Sequence, residues 1–401
     1  MDEKKYWLWL NMVFGTGNHR IWEVMSFFRT AERAYASLTS EDSAVSLNEN
    51  EYKNAHSVPL RNAESFLAGC AKRGIGVVSY ADPEYPQQLR HIYNPPSVLY
   101  YRGNIACLQT ELAVTAVGTR KPSAYSLKAA KEICSELSAR GAVIISGFAV
   151  GIDLACSMAA ADIGRPTVCV MGCGVDVDYP RQNFAYRDTI IAAGGVFISE
   201  FPPGTPPNSP NFPKRNRILA ALGQAAVVFQ AGAKSGSIIT ANLAAGQGRE
   251  VLCLPPADIF SGEYAGNIKL LRDGAIPMYD ASDVMECIVG SGGGLSAARV
   301  IRGTEGHSAD LNKISSAEDE KYGDSPAHEE HEENGTVPEL PGDLSEYQER
   351  IARELRSGAL HADELAQRLD MDPSELMTEL TELEIFGVIR SLPGKMYELI
   401  R

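Results

Sequence analysis

The run Phe212-Pro213-Lys214-Arg215-Asn216-Arg217-Ile218-Leu219 sets three cations and an asparagine at the opening of a helix, just after a proline-rich loop (residues 202–213). Cations at a helix N-terminus oppose the macrodipole. That cost makes sense where an anion sits between them. Arg120, Lys121, Lys234 and Arg181 come from other loops of the same region. Gly118-Thr119, Ser146-Gly147-Phe148 and Ser235-Gly236-Ser237 supply small residues through which backbone N–H groups can approach a phosphate. Together these residues describe a basic groove along a phosphodiester backbone, with Tyr125, Phe148 and Tyr179 as faces on which bases could stack. A plainer alternative stands beside each element. The cations could close surface ion pairs, the glycines could serve only strand-to-helix turns, and Lys234–Ser237 could be a simple helix cap.

Other chemistries lack their residues. There is no GxGxxG in the first βα turn and no GxxxxGK[ST], which disfavours a dinucleotide cofactor and a P-loop ATPase. The histidines fall outside the segment that carries the glycine loops, so no Ser/His/Asp or Cys/His set forms. Asp153 reads as a structural hydrogen-bonding carboxylate rather than a general base, and nothing local pairs Glu200 with Asp176. The eight cysteines are scattered without a CxxC, as reduced buried thiols are. Only Cys169 and Cys173 are close, with no histidine nearby, so a zinc site is not expected. No catalytic residue, metal or cofactor is expected.

The elements that must hold these residues follow from the pattern. Apolar runs at Leu112–Val117, Ala142–Ser146, Thr167–Met171, Val196–Ser199, Ala225–Gln230 and Glu250–Leu254 alternate with helical segments. Those segments are Ser126–Arg140, Ile152–Ile163, Gln182–Ala193, Lys214–Leu222 and Ser237–Gln247. This predicts an α/β domain with a doubly wound parallel sheet, whose ligands bind beyond the carboxyl ends of the strands. Residues 1–72 read as short helices (Tyr6–Met12, Ile21–Phe28, Ala63–Ala71). Residues 73–111 read as two strands with proline turns, extending a sheet domain that ends at 290. Residues 291–343 read as a disordered acidic linker with a reach of roughly 40 Å. Residues 344–401 read as three helices (Leu344–Leu355, Leu360–Leu369, Ser374–Phe386) and a small hairpin, a winged helix.

The 401 residues carry a net charge of −14. That charge lies at the C-terminal end: residues 303–343 hold 12 acidic and 2 basic side chains, and residues 344–401 hold 12 and 7. Residues 1–302 are balanced, so overall acidity says nothing against a local basic groove. The third winged-helix segment (Ser374–Phe386) carries Glu375, Glu379, Glu382 and Glu384 and no Lys or Arg. Phosphates would repel it, so this module is expected to dock protein rather than duplex DNA. With no apolar run of membrane length and no signal peptide, a soluble cytoplasmic protein is expected.

These residues resemble the DNA-processing protein A family (DprA/Smf) over essentially the whole chain. The matching marks are Val117-Gly118-Thr119-Arg120, Ser146-Gly147-x-Ala149-x-Gly151-Ile152-Asp153, Gly172-x-Gly174-x-Asp176 with Tyr179-Pro180-x-x-Asn183, Ser199-Glu200 with Pro203-Gly204, Phe212-Pro213-x-Arg215-Asn216-Arg217, and Ser235-Gly236-Ser237 with Thr240-Ala241. The resemblance implies a Rossmann-like domain that binds single-stranded DNA and forms a homodimer, a helical (SAM-like) N-terminal domain and a C-terminal winged helix. It implies a recombination mediator, not an enzyme, that protects incoming DNA during natural transformation (competence, DNA uptake) and helps load the RecA recombinase. Carried over as DNA-contact positions are Gly118, Thr119, Arg120, Ser146, Gly147, Lys214, Arg215, Asn216, Arg217, Ser235, Gly236 and Ser237, to which the groove reading adds Lys121, Phe148 and Lys234.

The chain departs from the family pattern at Val150, where a cation is usual, at Ser157, at Gln230, at Pro255-Pro256 and at Gly266-Asn267-Ile268, where the asparagine is displaced. A second reading is a small-nucleotide-binding enzyme or sensor on a related fold. Against it, the Pro-Gly-Gly-x-Gly-Thr loop of such hydrolases is missing, with Ala231–Ser237 in that region. A transcription factor acting through the winged helix is a third reading, and the acidic third helix argues against it.

Overall fold

The computed structural model describes residues 3–40, 43–110, 112–291, 345–385, 388–392 and 396–400. All but Ser291 of the expected linker lies outside these residues. The chain opens with five helices: α1 (Lys4–Phe14), α2 (Arg20–Phe27), α3 (Ala31–Leu38), α4 (Glu49–Ser57) and α5 (Leu60–Lys72). Periodicity alone predicts α1, α2 and α5. The other two carry little apolar sequence and lean on their caps. Thr30 accepts from the Arg33 N–H, and Asn48 with Glu51 forms a reciprocal capping box. Trp7, Leu8, Trp9 and Leu10 of α1 are all buried, and the Trp9 indole N–H donates to the Val58 carbonyl at 2.7 Å.

The proline-punctuated stretch that follows forms β1 (Gly76–Ser79) and β2 (Val98–Gly103), an antiparallel pair. Val98 and Tyr100 of β2 lie in the same apolar cluster as the N-terminal helices. The alternating region then folds as β3 (Ala113–Val117), α6 (Ala124–Ala139), β4 (Val143–Ser146), α7 (Ile152–Ala161), β5 (Thr167–Val170), α8 (Arg187–Ala192) and β6 (Val196–Ser199). It continues as α9 (Asn211–Leu222), β7 (Ala225–Val228), α10 (Gly236–Gly246), β8 (Glu250–Cys253), α11 (Ala265–Arg272), β9 (Ile276–Pro277) and α12 (Ala281–Ser291). One sheet takes the order β1-β2-β6-β5-β4-β3-β7-β8-β9. From β6 to β9 it is parallel, and β2 joins β6 antiparallel. It is Rossmann-like, as expected. Strand alternation sends Val114 and Ala116 toward Ala130, Ile133 and Ile152 on one face. Ala113 packs with Ile218 and Leu222 on the other.

Two helices differ from expectation. The segment Gln182–Ala193 is a 3₁₀ turn (Arg181–Tyr186) before the short α8. Arg187 is the cause: its guanidinium turns inward to the Val175 and Val177 carbonyls, and the Asn183 amide donates to the Phe148 carbonyl. These side chains hold the turn to the loops above the sheet. In turn, α9 begins at Asn211, three residues earlier than expected, with Pro213 inside the first turn where its missing N–H costs nothing. Arg215 and Arg217 therefore lie in the second turn, where the dipole cost invoked above has largely faded.

The C-terminal unit comprises α13 (Glu346–Glu354), β10 (Leu360–His361), α14 (Ala362–Leu369), α15 (Pro373–Ile385), β11 (Ile389–Leu392) and β12 (Met396–Leu399). This is a winged helix with a three-stranded wing, β10-β12-β11. Leu360 and His361, expected as helix, pair with Tyr397 and Met396 instead, and the His361 side chain caps α14. Among the described residues no helix is long and apolar enough to cross a membrane. The eight cysteines form no disulfide.

Asn267 has a definite structural duty. Its carboxamide oxygen accepts from the Ala231 N–H at 2.7 Å, and its nitrogen donates to the Phe229 and Leu254 carbonyls at 3.1 and 2.9 Å. It ties the ends of β7 and β8 to α11. Asn267→Ala would strand three buried backbone groups. Denaturant unfolding should show a loss of about 2–4 kcal/mol.

Candidate nucleic-acid interface

The chain winds from β3 through β4, β5 and β6 on one side and returns to the other side of β3 at β7, and the loops leaving β3, β4 and β7 meet at one edge. This is the crevice where such sheets bind ligands. The loop after β3 is held by the Thr119 N–H, which donates to the Gln230 carbonyl at 2.8 Å, and by the Thr119 carbonyl, which accepts from the Ile152 N–H at 3.2 Å. Gly151 (φ 89°) must be glycine: a Cβ there would stand 2.5 Å from the Thr119 carbonyl oxygen. These bonds leave Arg120 and Lys121 exposed at the rim.

Beneath the loop after β4 lies a buried pair. Asp153, in the first turn of α7, is buried near the backbone N–H groups of Gly118, Gly147 and Ala149, beside the Arg215 guanidinium. Arg215 in turn donates to the Gly147 carbonyl at 3.0 Å and to the Val170 carbonyl. A Cβ on Gly147 would meet both side chains, at 2.6 Å from Arg215 and 2.7 Å from Asp153. Burial pushes the Asp153 carboxyl up to about 6, against the pull of Arg215 and the three N–H groups. Burial also lowers the Arg215 pKa. Asp153 is thus buried as the structural carboxylate expected from the sequence, with the Arg215 charge beside it.

The cluster 214–217 is divided by its own helix. Arg215 and Asn216 face the loops, while Lys214 and Arg217 face the opposite side, toward the N-terminal helices. Arg217 donates to Glu200 at 2.6 Å, and these side chains are only 7 % and 2 % exposed. Asn216 donates to the Gly236 carbonyl at 3.4 Å. Ser146 is wholly buried, with its hydroxyl on the Ala116 carbonyl at 2.7 Å. Ser235 caps α10 and bonds the Ser237 hydroxyl. Of the cations singled out, Arg120, Lys121, Lys214 and Lys234 are exposed, while Arg215 and Arg217 are buried in internal bonds.

Two adjoining cavities form the groove. One, of about 530 Å³, is lined by Gly118–Lys121, Asp153, Arg215, Asn216 and Lys234–Ser237. The other, of about 570 Å³, is lined by Gly147, Val150, Tyr179 and Arg181. Arg120, Phe212 and Arg215 belong to both. The Tyr179 and Phe212 rings stand 5.4 Å apart. Phe148 is a correction to the expected stacking faces. Its ring is 1 % exposed and packs edge-on against Phe197, so it presents no surface to a base. Tyr125 lines neither cavity, and its hydroxyl donates to the Pro255 carbonyl. The sequence names Phe212 at the head of the basic run and among the family marks, but the stacking faces expected from it do not include this ring.

The Asp153 environment has a pH signature. The unfolded chain releases this proton near 3.8, whereas the folded chain holds it to about 6. The site's contribution to stability is therefore complete below pH 4 and falls by about 3 kcal/mol as pH rises through 6. Urea unfolding at stepped pH should show wild type gaining on Asp153→Asn as pH falls from 6 to 4. Parallel curves would refute the assignment.

The DNA recombination-mediator protein A family model matches residues 76–289, and the DprA winged helix domain model matches residues 336–395. The DNA processing protein DprA of Bacillus subtilis (strain 168) is 37 % identical over 220 residues, 55 % of this chain and 73 % of the relative. Protein Smf of Escherichia coli (strain K12) is 29 % identical over 346 residues, 86 % of this chain and 83 % of the relative. The X-ray structure of DNA processing protein A from Streptococcus pneumoniae superposes with a TM-score of 0.61 at 28 % identity, covering 71 % of this chain and 97 % of that one. The sheet, the crevice loops and the winged helix thus carry matches to one family, across more than half the chain in a single model, and the chain belongs to the DNA recombination-mediator protein A (DprA/Smf) family.

Proposed function

We propose that the protein binds single-stranded DNA in the groove above β3, β4 and β7, and acts as a recombination mediator rather than a catalyst. The observation that carries this reading is the groove itself. Exposed Arg120, Lys121, Arg181 and Lys234 surround loops rich in backbone N–H groups, with the Tyr179–Phe212 ring pair on one wall. Cations along a track with aromatic faces fit a flexible strand whose bases are free to stack. A small nucleotide would use one end of it. Family membership extends the reading to DNA taken up in natural transformation, to loading of RecA and to a homodimeric, cytoplasmic protein. The homodimer should sediment at twice the 43.4 kDa chain mass.

Labelled oligo(dT) and a matching duplex, titrated at two salt concentrations, test the reading. Binding should favour the single strand and weaken steeply with salt. Arg120→Ala with Lys234→Ala should weaken it at least about tenfold at low salt and make the log–log salt slope shallower by about 1.4, two phosphates at 0.7 each. Phe212→Ala should cost about 1–3 kcal/mol of binding with the slope unchanged. Wild-type affinity in the double variant would sink the proposal. Binding of mononucleotides but not oligo(dT) would favour a nucleotide sensor.

A further inference from the structure

The winged helix is seated on its own chain. Its third helix, α15, packs against α10 and α9, and the position of a Cβ on Gly246 is 3.5 Å from the Met377 Cβ. On its inner side α15 gives Leu376, Leu380 and Leu383 to the winged helix's own core. Its remaining surface is acidic. Glu375 lies beside Tyr93, whose ring stacks on His19 at 4.5 Å. Glu379 and Glu382 share a cavity of about 900 Å³ with Lys214 and the Arg217–Glu200 pair. Lys214 is thus an exposed cation on the same helix that sends Arg215 and Asn216 into the groove.

We infer that the winged helix is a self-docked acidic arm, which holds α15 on the α9–α10 shoulder and, while docked, weakens the hold of the neighbouring groove on phosphate. The inference about weakening rests on the single-strand reading given above; the inference about docking does not. Two physical consequences follow from the posture. The helix that winged helices set into their targets is covered, so the module is closed to other partners until it leaves. Its Glu379 and Glu382 also line one cavity with Lys214 of α9, and their charge opposes an approaching polyanion. About fifty residues of chain separate Ser291 from Ser345, enough length for the arm to leave its seat while remaining tethered.

The test uses the full chain carrying Gly246→Cys and Met377→Cys, whose Cβ atoms are placed at disulfide separation. Under mild oxidation the 246–377 bond should form within single chains, identified by peptide mass mapping and by its independence of protein concentration. A control pair, Gly246→Cys with the exposed Glu364→Cys on α14, should not bridge. Equal bridging of both pairs, no bridging, or bridging only between chains overturns the docking. The oxidised protein should bind labelled oligo(dT) about three- to tenfold more weakly than the same protein after reduction. The gap should close at high salt. An efficient 246–377 bond with equal affinities in the two forms overturns the weakening. Absence of oligo(dT) binding by the wild-type chain overturns the weakening together with the single-strand reading, whereas the bridging result stands apart from both.

Discussion

The head of the sheet depends on the buried meeting of Arg215 and Asp153. A guanidinium and a carboxylate removed from water are costly unless polar groups take the place of water around them. Here the partners are backbone groups of the loops they support. Asp153 lies among the N–H groups of Gly118, Gly147 and Ala149, and Arg215 donates to the carbonyls of Gly147 and Val170 while its Nε stays unpaired. One pair thus fastens the loops after β3, β4 and β5 to α7 and α9. Gly147 is glycine because both side chains pass where a Cβ would stand. The shape of the groove is a consequence of this pair. The charge that phosphate would meet comes from Arg120, Lys121, Arg181 and Lys234 around it.

The same helix divides the molecule's electrostatics. From one turn of α9, Arg215 and Asn216 go to the groove, and Lys214 and Arg217 go to the opposite side. Arg217 is neutralised by Glu200, at the end of β6. Lys214 remains exposed where the acidic α15 arrives. A chain of net charge −14 can therefore offer a basic edge, because its surplus carboxylates lie after residue 302 and those of α15 gather at one shoulder.

Much of the architecture was legible in the sequence. Each of the six apolar runs between residues 112 and 254 became a strand of the parallel sheet, since strands buried on both faces must be continuously apolar. The glycine loops fell at the crevice, because the positions where the backbone must turn or approach closely admit no side chain. Less legible were α3 and α4, which caps and neighbours stabilise more than any stripe of their own. Residues 360–361 were read as helix but joined the wing, where a partner strand distant in sequence outweighed local pattern.

The sequence by itself determined which residue types could gather at the sheet's edge, the order of elements that brings them there, and the acidity of the last helix. These follow from periodicity, glycine sterics and counted charge, all local properties of the chain. Only the tertiary structure decided what each cation does. Four consecutive polar residues, Lys214 to Arg217, look alike as a basic cluster. The 100° turn per residue of a helix sends them to different surroundings. Arg215 donates to the Gly147 and Val170 carbonyls beside Asp153, Arg217 pairs with Glu200, 17 positions away in the chain, and both become structural. Phe148 turned into the core for the same reason: whether a ring faces solvent or another ring is set by what the fold places opposite it, and its neighbour Phe197 comes from β6, distant in sequence.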